Sequence, residues 1–125
     1  MLHLCGNLRH FIGAVLGNSG YVRDREAEFS RRDVPRADLL ALVEAAKTDV
    51  TSAMARMDDA AMHEAFPVEY GGTTVRIDLF LTHLLSHLAF HLGQIDYHRR
   101  AALGDATSAN PIAAESLAAA PSAAR

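Results

Sequence analysis

Residues Thr82–His98 read T-H-L-L-S-H-L-A-F-H-L-G-Q-I-D-Y-H, and this stretch decides how the chain is interpreted. An α-helix advances about 100° per residue, so side chains four residues apart lie above one another on one face. Apolar residues interleave with the polar ones at helical spacing, which predicts a long helix with one edge against a core. One face, within roughly 80° of arc, carries four histidines and a glutamine: His83, His87, His91, Gln94 and His98.

The spacing of these histidines indicates a metal site. Two imidazoles four residues apart on a helix can reach one cation, which is why helices bind metals through H-x-x-x-H. Neutral imidazole is a donor suited to Zn, Ni, Cu and Fe. A third candidate ligand, His3, lies at a helical position near the start of the chain. The pattern has low specificity by itself, so histidines that are merely hydrogen-bonded core or surface groups are the alternative interpretation.

The composition restricts the class of protein. A chain of 125 residues is long enough for one core but not for two, so we expect a single domain. The net charge of −3 gives no basic surface and counts against nucleic acid as a partner. The single Cys5 excludes an internal disulfide and fits the reducing cytoplasm. Neither a signal peptide nor an apolar run of about 20 residues is present, so we expect no membrane association.

Helical periodicity dominates the rest of the chain. An apolar face over residues 2–16 predicts a first helix, and a second extends from a cap at Asp33 to about Met57. The charged segment Tyr21–Arg32 predicts a short helix or ordered loop whose ion pairs lock it in place. The last helix is predicted from about Arg76 to Ala102, ending before Gly104.

Two further segments complete the organisation. Residues 66–75 carry β-branched side chains around Gly71-Gly72 and predict a small hairpin. Residues 105–125 are rich in Ala, Ser and Pro and predict a disordered tail. The expected organisation is therefore a helical domain over residues 1–104 followed by this tail. Amphipathic helices with short links pack as antiparallel bundles, in which sites form between facing helices. The predicted fold class is all-α.

Three motifs in order resemble one known family. They are H-L-C-G-N-L-R-H at residues 3–10, R-D-R-E-A-E-F at residues 23–29, and H-L-L-S-H-L-A-F-H-L-G-Q-I at residues 83–95. Together they resemble the DinB-like superfamily, which includes YfiT-like and bacillithiol-transferase-like metalloenzymes. The resemblance covers about residues 2–104.

The resemblance implies a four-helix bundle that binds a divalent metal, such as Zn, Ni or Fe, through three histidines. By position the ligands would be His3, His87 and His91. His83 and Gln94 would adjoin the cofactor, with Gln94 holding a ligand or a water molecule in place. Leu92 stands where relatives often have arginine.

The resemblance also raises an expectation about the N-terminus. Relatives begin with a helix before the H-L-x-G-N segment, whereas Met1 here stands two residues before His3. Either the true start lies upstream, or this is a truncated form of the bundle with about three main helices. The uncovered apolar flank of a truncated form would favour a homodimer or poor folding.

Two functions follow as hypotheses. Three protein ligands leave a coordination position open, which is typical of catalytic metal sites, and a cation there lowers the pKa of a bound thiol or water. The resemblance implies transfer of a small thiol onto an electrophilic small molecule. The alternative is a non-catalytic stress protein that binds a metal or small molecule, since no carboxylate lies on the histidine face.

Overall fold

The computed structural model describes residues 1–110, and its secondary-structure elements over these residues are all helices, which confirms the predicted all-α class. Three long helical stretches are present as expected, and a six-residue helix joins the first two. The elements are α1 (Leu2–Leu8) with a π-helical continuation (Arg9–Leu16), α2 (Arg25–Ser30), α3 (Arg36–Met54), a 3₁₀ turn (Ala61–His63) and α4 (Ile77–Leu103).

The first helical stretch changes its geometry halfway. From Arg9 to Leu16 it is a π-helix, and the N–H of Gly17 donates to the carbonyl of Ile12 five residues earlier, at 2.9 Å. The periodicity predicted a helix over these residues but not this wider turn, because π-helical segments are rare and have no distinct apolar period.

Close packing joins the π-helical segment to α3. A Cβ atom on Gly13 would lie 2.8 Å from the Asp49 Cβ, so glycine permits the approach of the two backbones. Asp49 in turn accepts a 2.8 Å hydrogen bond from Arg9 Nε. The adjoining core contains Ile12, Ala53, Phe66, Ile77, Phe80 and Leu84.

The start of α3 differs from the prediction. Asp33 does not cap the helix: its φ of +53° is left-handed, and α3 begins only after Pro35. Pro35 has a φ of −55° with an extended ψ and no side-chain cap is made. The aspartate that does cap a helix is Asp24, whose Oδ1 accepts from the N–H of Ala27 at 2.9 Å and begins α2.

The predicted hairpin is present in reduced form. Isolated antiparallel bridges join Ala65 to Arg76 and Tyr70 to Thr73. Gly71 and Gly72 form the two-residue turn with φ of +61° and +74°. Positive φ at both central positions is what a type I′ turn requires, and only glycine adopts it without strain. This loop brings the Tyr70 ring to 5.1 Å from the ring of Phe80 on α4.

The chain divides into two compact units, residues 1–88 and the residues from Ala89 onward, with the boundary inside α4. In the second unit α4 ends at Leu103, followed by Gly104 at a φ of +63°, as the sequence predicted. The N–H of Asp105 donates to the Arg100 carbonyl at 3.1 Å, which is the bond expected of a glycine-terminated helix. The predicted tail covers residues 105–125. Of these, residues 105–110 are described and form no helix or strand, and residues 111–125 lie outside the described residues, so the disorder of the tail stays a prediction. Within the described part of the chain, no helix combines the length and apolar character needed to span a bilayer.

Candidate metal centre

His3 is held by a buried carboxylate on α2. Its Nδ1 lies 2.9 Å from Glu28 Oε2, and the Glu28 side chain is only 5 % exposed. A carboxylate at neutral pH only accepts hydrogen bonds, so Nδ1 carries the proton and donates. In the neutral imidazole this leaves the lone pair on Nε2. Glu28 therefore fixes both the tautomer and the direction of the ring, as carboxylates do behind metal-binding histidines.

Arg23 holds Glu28 in place, and these two residues behind His3 are called the Glu28 clamp. Its Nε donates to Glu28 Oε1 at 2.7 Å and its Nη2 to Oε2 at 2.8 Å, a two-point pairing that fixes the plane of the carboxylate. Burial alone would raise the pKa of the Glu28 carboxyl, but the hydrogen bonds from Arg23 and His3 outweigh it and lower the pKa below its ordinary value. Glu28 is therefore an anion at neutral pH and can neutralise charge that develops on the imidazole.

His87 on α4 lies next to His3 on α1, and both residues belong to the first unit. Their Nε2 atoms are 3.3 Å apart, and the two rings are nearly perpendicular at 87°. Two nitrogens bound to one tetrahedral zinc at about 2.0–2.1 Å would be separated by about 3.3–3.4 Å. The pair therefore has the spacing of two ligands on one cation. A hydrogen bond between the two rings would give a similar distance.

His91 lies one turn beyond His87 on α4. Its Nδ1 is 2.7 Å from Gln94 Oε1, so the amide oxygen accepts the Nδ1 proton and the lone pair is left on Nε2. His3, His87 and His91 are a candidate group for a metal ion, since each offers one ligand nitrogen. Three imidazoles are a donor set suited to Zn, Ni, Cu or Fe.

The other predicted site residue, His83, lies beside this group but outside it. Its ring centroid is 6.4 Å from that of His87 and nearly parallel to it, and 5.3 Å from the ring of Tyr70. His83 is exposed on the preceding turn of α4. It can support His87 by packing, and the role beside a cofactor that the resemblance implies for it stays a prediction.

Cys5 is close to His3 in sequence but has no part in the group. Its side chain is buried, with the residue 4 % exposed, and burial raises the pKa of the thiol. A thiolate is the form that binds metals or attacks electrophiles, so the environment of Cys5 favours the inert thiol.

Glu28 is the residue of the candidate site that the sequence analysis does not identify. The segment around it was interpreted as a set of ion pairs that lock the chain in place, and the pairing with Arg23 fits that description. The contact with His3 joins residues 25 positions apart and depends on how α1 meets α2. The only sequence signal is the acid within R-D-R-E-A-E-F, and nothing in that motif distinguishes Glu28 from Glu26.

Comparison with known proteins gives a family without a known activity. Neither a curated protein nor a solved structure matches this chain. A family model does match, and it covers residues 1–111, which include both the Glu28 clamp and the three histidines. The chain therefore belongs to the family described as "Protein of unknown function (DUF1572)".

Proposed function

We propose that this protein binds one divalent transition metal ion through His3, His87 and His91. The observation that carries the proposal is the 3.3 Å separation of the His3 and His87 Nε2 atoms, with Glu28 fixing the His3 tautomer. A histidine that were only a hydrogen-bonded surface group would not need a buried carboxylate and a two-point arginine behind it. The resemblance of the three motifs to the DinB-like superfamily supports the same ligand set.

Each ligand has a support of its own kind. Glu28 orients His3 by its charge, and Gln94 orients His91 by a neutral amide. The His87 ring has two neighbouring rings, that of His83 with its centroid 6.4 Å away and that of His3 with its centroid 5.1 Å away. When bound, the metal would supply an open coordination position and would lower the pKa of a thiol or water there.

The chemistry that we propose for this site is transfer of a small thiol to an electrophile, and it rests on the DinB-like resemblance. With a haloarene, the thiolate sulfur forms a bond to the ring carbon, the carbon–halogen bond breaks and halide leaves, while the thiol proton passes to solvent. Glu28 is not available as the base for that proton, because both of its oxygens accept hydrogen bonds from Arg23 and His3. The alternative proposal is a non-catalytic stress protein that binds a metal or a small molecule.

The metal is tested on protein purified without a polyhistidine tag. Elemental analysis compares the wild type with His3→Ala, His87→Ala and a matched control, His98→Ala, which removes an exposed histidine from the same helix. We expect about one metal ion per chain in the wild type and the control, and a large loss in the other two. Equal metal content in all four proteins would exclude the assignment.

Activity is tested separately from metal content. Metal-loaded protein is incubated with a haloarene or an epoxide and with cellular thiols, and conjugation is measured against His87→Ala and His98→Ala. Conjugation that needs the metal and His87 supports the transferase. Metal binding without conjugation to any thiol supports the binding protein.

A further inference from the structure

A cavity of about 260 Å³ opens beside His3 and His87 in the first unit. Its walls come from α1, the π-helical segment, the start of α2, the Gly71-Gly72 loop and α4. This volume is somewhat below the range of about 300–1,000 Å³ of drug-sized ligand sites, so it suits a small metabolite. The cavity adjoins the ligand nitrogens, and any molecule in it would lie next to the proposed metal.

The floor of the cavity contains a buried amide. Asn7 is 7 % exposed and lines the cavity one turn from His3 on α1. Buried polar groups are almost always hydrogen-bonded, so a polar group on a ligand would be favoured beside this amide.

The rim carries one uncompensated positive charge. Arg23 lines the cavity, but its charge is cancelled by Glu28 behind it. Arg25 also lines the cavity, is exposed, and lies with its guanidinium 5.3 Å from the centre of the Phe29 ring. No carboxylate among the described residues forms an ion pair with Arg25. A guanidinium beside an aromatic ring keeps its N–H donors for a ligand, and these donors suit a carboxylate.

The remaining wall is aromatic. The rings of Phe11 and Tyr70 meet edge to face with centroids 5.7 Å apart, and both line the cavity. Such a wall favours an apolar or aromatic body of the ligand. One net positive charge matches a monoanion, whereas a phosphate monoester carries about 1.5 to 2 negative charges at pH 7.

We propose that this cavity binds a small aromatic carboxylate, with the carboxylate on Arg25 and the ring against Phe11 and Tyr70. The end of the molecule nearest Asn7 then lies beside His3 and His87. This inference rests on the proposed function in one respect, namely that the bound carboxylate would be a substrate or ligand of the metal site. The cavity itself belongs to the first unit and needs no metal to bind an anion.

The test uses benzoate as the probe, with benzamide as its neutral isostere and phenyl phosphate as the dianion. Binding is measured by calorimetry or ligand-observed NMR on the full chain, both after chelator treatment and after zinc loading. The metal-free sample excludes direct coordination of the probe. We expect benzoate to bind at least about tenfold more tightly than benzamide, which is the effect of one charge-assisted pairing. Benzamide or phenyl phosphate binding as tightly as benzoate would overturn the proposal.

The variant is Arg25→Gln, with Arg36→Gln as the matched control at another exposed arginine, the first residue of α3. We expect benzoate affinity to fall about tenfold in the first and to stay unchanged in the second, with identical circular dichroism in both. Unchanged affinity in Arg25→Gln would overturn the proposal. Metal binding without benzoate binding would refute this inference and leave the proposed function standing. Benzoate binding without metal binding would refute the proposed function and leave this inference standing.

Discussion

Replacing Gly6 with alanine would place a methyl group in the space occupied by the Glu28 carboxylate. The new Cβ would lie 2.1 Å from Glu28 Oε1 and 2.7 Å from its Cδ. Such atoms are essentially never found closer than 3.0 Å, so Oε1 has to retreat by about 0.9 Å. The carboxylate ends a flexible chain and can move, but it then cannot keep its bonds to both Arg23 and His3.

The size of the effect follows from those bonds. Weakening one charge-assisted hydrogen bond costs about 1.5–3 kcal/mol, while alanine in place of glycine in a helix returns up to about 1 kcal/mol. We therefore expect Gly6→Ala to lower the free energy of unfolding by about 0.5–2 kcal/mol. Loss of the support behind a metal-binding histidine typically costs 10- to 100-fold in affinity. The metal dissociation constant should rise by about that factor.

The assay is competition for zinc with a chelating dye, combined with urea unfolding of the metal-free protein. Gly93→Ala is the matched control, because it makes the same change within α4 and its Cβ would meet no other atom within 4 Å. We expect this control to be as stable as the wild type or more so and to bind zinc equally well. Gly6→Ala with the zinc affinity of Gly93→Ala would refute the role assigned to Glu28.

Four further predictions concern stability and reactivity. Zinc at about 100 times its dissociation constant should raise the free energy of unfolding by about 2.7 kcal/mol, and a melting temperature that a chelator leaves unchanged would contradict metal binding. Phe80→Ala should cost about 3–5 kcal/mol in urea unfolding, because Phe80 is 2 % exposed in the core, and a loss below about 1 kcal/mol would contradict that packing. The Cys5 thiol should react with a thiol reagent only after unfolding; rapid labelling of the native protein would contradict its burial. The hydrogen bond from Arg76 lowers the pKa of the Asp78 carboxyl and is only partly opposed by burial, so the stabilisation by the Asp78 carboxylate is present above its ordinary pKa and is lost as the pH falls through the lowered pKa. Over that acid range the free energy of unfolding of Asp78→Asn should therefore fall less than that of the wild type. Equal dependence of the two free energies on pH would contradict this prediction.

The parts of the fold that the sequence predicted are those set by local interactions. The predicted limits of α4, Arg76 to Ala102, differ from the observed Ile77–Leu103 by one residue at each end. Helical periodicity and a glycine that adopts positive φ are both properties of a short segment, so they can be recognised without knowing what packs nearby. The two-glycine turn before α4 was predictable for the same reason.

The parts that were missed depend on contacts distant in sequence. Asp33 is the cap that the sequence predicts for α3, but its left-handed φ and the start of α3 after Pro35 leave that helix without a side-chain cap. Glu28 reaches His3 because Gly6 lets α2 lie close to α1, a relation between three residues on two elements. The spacing H-x-x-x-H and the family resemblance predict the candidate ligand histidines, whereas the contact of Glu28 with His3 is visible only in three dimensions.

The most direct test of the three-histidine centre is an anomalous difference map at the zinc edge, from crystals of protein loaded with one equivalent of zinc. The metal centre predicts one strong peak about 2.0–2.1 Å from the Nε2 atoms of His3 and His87 and in contact with the His91 ring. A peak elsewhere, for example at the exposed pair His63 and Asp78, with none between His3 and His87, would contradict the assignment.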